Sequence, residues 1–256
     1  MELSQVQQYL KRLKLGETGF APNAPALGRL QLAHLHSVPF ENLSIHWRER
    51  MDLSFSHLHN KIVLDRRGGF CYECNALFLH LLLVLGYDAR LLSAQVARND
   101  GSYTPEFDHM LLHVQLEDPW IADVGFSDSF RSPLRITPDI VQPEEGRAYR
   151  IDAQDGRFVV CQRLDNHDWQ PQFRFTLAQR SLEDFADMFA FHRDAPESHF
   201  RRGPLATIAT PDGRTTLSGH KLIRTKLSGD RSDEEIAPDA YADTLLREFS
   251  IQRART

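Results

Sequence analysis

Cysteine is scarce in this chain: three residues among 256, an odd number. That excludes a disulfide framework and suits a reducing compartment in which thiols stay free for chemistry, so a cytoplasmic protein is expected. Long hydrophobic runs are missing as well. The densest stretch, Leu77 to Leu85, is interrupted by His80 and falls well short of the roughly 20 apolar residues that a bilayer span requires. The opening residues Met1-Glu2-Leu3-Ser4-Gln5 carry neither a basic leader nor an apolar export core, so export is not expected. Positive charge is not in excess, because 30 Lys and Arg face 35 Asp and Glu for a net charge of −5. A general affinity for nucleic acid or an anionic membrane therefore has no electrostatic basis. Repeats, low-complexity tracts and Gly/Ser linkers are also absent. What is present is globular: 41% hydrophobic and 25% charged residues, enough to bury a core without staples.

Periodicity divides the chain into a helical, a β and a mixed part. Val6, Tyr9, Leu10 and Leu13 recur at helical spacing with Gly16 as the stop, and a second helix is expected from about Ala26 to Ser37, ended by Pro39. From Asn75 to Leu85 nearly every position is apolar and Gly86 closes the run, which predicts a helix buried on most sides. Beyond it the period becomes two. Leu91–Val96 and His109–Leu116 read as strands, and Arg157–Cys161 pairs with Tyr149–Ile151 across the Asp155-Gly156 turn. Ser181 is the expected N-cap of a helix carrying Phe185 and Phe189. A hairpin around Pro211-Asp212-Gly213 and a last helix through Tyr241, Leu245 and Phe249 follow. The expected segments are 1–88, 89–195 and 196–256.

The most informative stretch is Asp65-Arg66-Arg67-Gly68-Gly69-Phe70-Cys71-Tyr72-Glu73-Cys74-Asn75, which runs into the buried helix. A thiol at a helix N-terminus meets unpaired N–H groups and the positive end of the dipole, the setting of a nucleophile. Taken alone, Cys71 fits a buried structural cysteine equally well. Cys71 and Cys74 also form a C-x-x-C pair, but zinc needs four ligands and Cys161 stands alone in a strand pattern, so no metal is expected. Helices rather than a βαβ unit precede the motif, which argues against dithiol redox chemistry. Arg66 and Arg67 either raise the potential at Cys71 or pair with Asp65 and Glu73.

A cysteine nucleophile needs a base, and the base needs an orienting acceptor. His109 begins one strand and Asp123 ends the next, in Trp120-Ile121-Ala122-Asp123-Val124-Gly125-Phe126. His113 shares the face of His109 but lies about 13 Å further along at about 3.3 Å per residue, so the two cannot serve one site. A strict two-residue turn at Glu117-Asp118 would pair His109 with Phe126 and Asp123 with Leu112, a register that leaves their contact open.

Arg67-Gly68-Gly69-Phe70-Cys71-Tyr72-Glu73-Cys74-Asn75 resembles the Arg-Gly-Gly-aromatic-Cys-x-x-x-Asn motif of the arylamine N-acetyltransferases. Val38-Pro39-Phe40-Glu41-Asn42-Leu43, His109-Met110, Asp123-Val124-Gly125-Phe126, Ser198-His199-Phe200 and Gly213–Gly219 are similar to further motifs of that family in the same order. The likeness spans nearly the whole chain. It implies an α+β fold with an N-terminal helical bundle, a central β-barrel and a C-terminal α/β lid, and a triad of Cys71, His109 and Asp123. It also implies acetyl transfer from acetyl-coenzyme A to arylamines or hydrazines through an acetyl-cysteine, with Phe40, Phe126 and Gly69 at the substrate. A related amide synthase or a thioester or amide hydrolase is the alternative. Two positions depart from the pattern: Ser127 stands where many members have a second glycine, and Cys74 adds a thiol at a variable position. For the cofactor phosphates, the basic stretch from Phe200 to Lys226 offers Arg201 and Arg202, although a solvated hairpin face explains that charge equally well.

Overall fold

The computed structural model describes residues 1–16, 20–164 and 167–253. Helix α1 (Leu3–Arg12) buries Val6, Tyr9 and Leu10, and it stops before Gly16 because Lys14 takes the left-handed conformation (φ 60°). Helix α2 (Ala24–Leu35) starts two residues earlier than expected, where the Asn23 side chain accepts the Ala26 N–H at 2.9 Å. Strand β1 (Phe40–Glu41) and the short helices α3 (Leu43–Trp47) and α4 (Phe55–Leu58) lead through a π-helical turn, His59–Leu64, to helix α5 (Cys71–Val84). Four residues longer at its start than the apolar run suggests, α5 has Cys71 as its first residue, and Phe70, Tyr72, Phe78 and Leu81 on it or just before it are fully buried.

The middle of the chain supplies β2 (Asp88–Val96), β3 (His109–Gln115), β4 (Pro119–Ala122), β5 (Leu134–Arg135), β6 (Gln142–Glu144), β7 (Arg147–Gln154), β8 (Arg157–Leu164) and β9 (Gln170–Phe175). They form one antiparallel sheet in the order β5-β4-β3-β2-β9-β8-β7-β6. The sheet curls into a nearly closed barrel, and the Gln142 side chain bridges its two edges: it accepts from Arg135 N at 2.8 Å and donates to Arg135 O at 3.0 Å. Edge groups that would otherwise lie unpaired are thereby satisfied. Asp155 and Gly156, both at positive φ, form the β7–β8 turn as expected. Strand β3 is buried on both faces, with Met110, Leu112 and Val114 against the helices and Leu111 inside the barrel.

Helix α6 (Ala186–Asp194) begins later than a Ser181 cap would place it, because a 3₁₀ turn (Glu183–Phe185) intervenes. The last part holds β10 (Leu205–Thr210), β11 (Gly213–Ser218), β12 (Lys221–Lys226), β13 (Arg231–Glu235) and α7 (Tyr241–Phe249). Its sheet runs β1-β10-β11-β12-β13, so the helical part donates a strand to the lid. Leu245 and Phe249 of α7 pack on Leu217 and Leu222 beneath it. The architecture is α+β: helical bundle, barrel and α/β lid.

A buried ion cluster fixes the seam around β1. Arg67 reaches Glu41 at 2.8 Å and Glu49 at 2.9 Å, while Lys61 holds Glu73 at 2.7 Å. The expected pairing of the arginines with Asp65 and Glu73 is therefore not found: Arg67 turns to Glu41 and Glu49, and Arg66 is exposed. Burial pushes the Glu41 carboxyl up, but Lys61, Arg67 and the Leu43 N–H outweigh it and hold it below its ordinary value. Removing one member strands a buried charge. Arg67→Met is expected to cost about 3–5 kcal/mol in urea denaturation at neutral pH. A depressed carboxyl stabilises above its ordinary pKa and loses that contribution as pH falls through its folded value, so the difference from wild type should shrink in acid.

Candidate active site

Three chain segments converge on the N-terminus of α5. The β3–β4 connection holds three residues rather than two, pairing Leu112 with Ala122 and Gln115 with Pro119. That one-residue shift ends β4 at Ala122, so Asp123 leaves the ladder and its carboxylate is free to turn. His109 Nε2 donates to Asp123 Oδ2 at 2.7 Å, with the imidazole and carboxylate buried. The Cys71 thiol lies at the same cleft as this imidazole and is near enough to act on its pKa. Burial pulls the His109 pKa down, but the charge of Asp123, the hydrogen bond to it and the Cys71 thiol raise it to about 10. The ring stands against Phe126 at 5.0 Å and Phe173 at 5.5 Å between centroids. His113 lies elsewhere, buried, with no partner for its Nδ1 among the described residues.

A raised pKa stabilises the fold below the ordinary histidine value of 6.5 and loses that contribution as pH rises through about 10. The melting temperature of the wild type should therefore fall across that window, and His109→Gln should abolish this component of the fall in a series of thermal melts.

Two further residues hold Asp123 in place. Asn75 Nδ2 donates to Asp123 Oδ1 at 2.9 Å and to Met110 O at 2.7 Å, and its Oδ1 accepts from Val124 N at 3.0 Å. Gln31, on α2, accepts the Asp123 N–H at 3.1 Å. Asn75 was visible in the cysteine motif, four residues on and hence on the same helix face as Cys71; Gln31 carries no local signal at all. Gly125 completes the set by giving its N–H to Asp123 Oδ1 at 2.8 Å. A Cβ there would sit 2.6 Å from Cys71 Cα, so only glycine lets this loop approach the helix.

The two neighbouring thiols differ. Cys71 borders a cleft of about 580 Å³. Cys74 is fully buried, donates to Gly69 O at 3.3 Å, and is pushed well above its ordinary pKa first by burial and then by Glu73. Phe40, Phe126, Phe200, His109 and Ser127 share the cleft with Cys71, and Arg202 stands exposed at its mouth. Two expected contacts fall outside the cleft. Gly69 has its N–H on Pro39 O and its carbonyl on Glu41 N and Cys74, and it packs under Glu73, so it serves close approach rather than lining. Arg201 turns away to Arg193 O at 3.0 Å. Three other cations of the basic stretch are engaged too: Lys221 with Asp233, Arg224 with Glu234 and Glu248, Arg214 with Asp128. Asn42 ties down the cleft wall by donating to Phe200 O and Gly203 O and accepting from Leu205 N. No helix among the described residues is long and apolar enough to cross a membrane.

Residues 23–255 match the family model described as N-acetyltransferase. The arylamine N-acetyltransferase of Escherichia coli (strain K12) is 35% identical over 222 residues, covering 86% of this chain and 78% of the relative. The structure of the Salmonella typhimurium arylamine N-acetyltransferase superposes with a TM-score of 0.92 at 30% identity, over 98% of this chain and 92% of that one. The Mycobacterium marinum arylamine N-acetyltransferase, solved in complex with CoA, gives a TM-score of 0.87 at 30% identity over 96% and 92%.

Proposed function

Because the chain belongs to the arylamine N-acetyltransferase family and is thus an acyltransferase, we propose that it moves the acetyl group of acetyl-coenzyme A to an arylamine or hydrazine by a ping-pong route through acetyl-Cys71. The observation that carries this reading is the buried His109–Asp123 pair at 2.7 Å, with His109 and the Cys71 thiol on one cleft.

With its proton held on His109, the Cys71 sulfur attacks the thioester carbonyl, whose oxygen takes up the negative charge of the tetrahedral intermediate. The first-turn N–H groups of α5, at Cys71 and Tyr72, have no carbonyl four residues back within the helix and serve as oxyanion donors. Collapse expels coenzyme A thiolate, which takes the proton from His109. The amine then attacks acetyl-Cys71 while the now neutral His109 accepts its proton, and collapse returns the thiol. Asp123 stabilises the imidazolium formed in both halves. Aromatic amines suit this site because they are uncharged, hence nucleophilic, at neutral pH, and because Phe40, Phe126 and Phe200 wall the cleft. Arg202 at its mouth takes the cofactor phosphates. We place the protein in the cytoplasm, where Cys71, Cys74 and Cys161 remain free thiols.

Initial rates measured over a grid of acetyl-coenzyme A and aniline concentrations test the route. Parallel double-reciprocal lines are expected; intersecting lines would mean that both substrates must be bound together. Consumption of acetyl-coenzyme A without any amine, at the full rate, would point to the hydrolase instead.

A further inference from the structure

We propose that Asp108 is a specificity-determining residue that favours aromatic amines bearing a second, ammonium group and disfavours those bearing a carboxylate. This inference rests on the acetyl-transfer reading above and names the acceptor class of the same cleft.

Asp108 is the one carboxylate among the described residues lining the cleft, and it directly precedes His109. Its position is built. Phe107 before it adopts a left-handed conformation, φ 68°, which is costly for a bulky side chain. Tyr72 pins this turn by donating to Phe107 O at 2.8 Å and Asp108 O at 3.3 Å, and Ser93 Oγ accepts the Phe107 N–H at 2.8 Å. The carboxylate is held from behind: the buried His192 of α6 donates through Nε2 to Asp108 Oδ1 at 3.1 Å, and Ser198 Oγ lies 3.2 Å from the other ring nitrogen. Burial pushes the Asp108 pKa up, but His192, Thr104 and His199 outweigh it and leave it below its ordinary value, so the group is ionised at neutral pH. The triad as drawn gives Asp108 no part in moving the acetyl group.

Of the charged groups around the cleft, His109 is matched by Asp123, and Arg202 is exposed at the mouth, where water screens it. Asp108 has a side chain only 9% exposed, and charge counts for more at such a depth. An acceptor with its aryl amine at Cys71 and an ammonium group on the ring can place that group against Asp108. A carboxylate on the ring meets repulsion instead. The ammonium group itself stays protonated and is not acetylated.

The test compares kcat/KM for 4-(aminomethyl)aniline and 4-aminobenzoate at pH 7, with aniline as the neutral reference, in wild type, Asp108→Asn and Asp108→Glu. Asp108→Asn is expected to lower the cation-to-anion ratio about tenfold or more, and Asp108→Glu to restore most of it. The wild type alone supplies a second readout free of differences in amine nucleophilicity. Benzylammonium should inhibit aniline acetylation with a Ki about tenfold or more below that of benzoate. Equal Ki values, or a ratio that Asp108→Asn leaves unchanged while aniline is still acetylated, overturn the role of Asp108 alone. Failure of the wild type to acetylate aniline overturns the transferase reading and this inference with it.

Discussion

Replacing Cys71 with alanine is expected to lower kcat/KM for aniline acetylation by about 10⁵-fold or more, with the fold unchanged by circular dichroism. The thiol is the one sulfur among the described residues lining the cleft, and its loss leaves His109 and Asp123 without the nucleophile proposed for them. Cys71→Ser should be nearly as inactive, because a hydroxyl yields its proton to an imidazole far less readily than a thiol does. Cys74, buried against Gly69 O, cannot substitute. Iodoacetamide should label wild-type protein at residue 71 alone and end its activity in step. Residual transfer above about 1% of wild type in Cys71→Ala would place the acetyl carrier elsewhere.

Asp123→Asn should cost about 10³–10⁴-fold in kcat/KM. Asparagine fills the same space, so the expected loss is electrostatic and tautomeric. The imidazolium loses the negative charge that, with the hydrogen bond at 2.7 Å, holds its pKa at about 10. It also gains a neighbour able to present N–H where His109 Nε2 needs an acceptor. The pH profile separates this from mere damage. The pH above which alkylation of residue 71 ceases to depend on the imidazolium should move down from about 10 toward 6.5 in the variant. An unshifted profile with low activity would mean that Asp123 acts through structure only.

Much of this site is legible in the chain because its residues sit where local rules are strict. Cys71 follows a glycine pair and opens an apolar helix; His109 and Asp123 flank a hairpin. The sequence also divides cleanly where the period changes, between Leu85 and Leu91. What it hides is non-local. The register of β3 on β4 turned on one residue of loop length, and only with Asp123 beyond the last ladder pair can it face His109. Gln31 reaches Asp123 N across 92 positions and Arg67 reaches Glu41 across 26, and no periodicity encodes either contact. Gly69, expected at the substrate, is not among the residues lining the cleft, because a motif glycine signals close approach without saying to what; here it is the Glu73 side chain. Arg201 and Arg202 are adjacent, yet a 3₁₀ turn ending at residue 201 sends only the second to the cleft.

The most direct test is a rapid-quench reaction of the wild type with acetyl-coenzyme A and no amine, followed by peptide mass spectrometry. The account predicts a burst of one equivalent of free coenzyme A per chain, with one acetyl group on the peptide containing residue 71 that disappears when aniline is added. No burst, or an acetyl group found only on another residue, would contradict it.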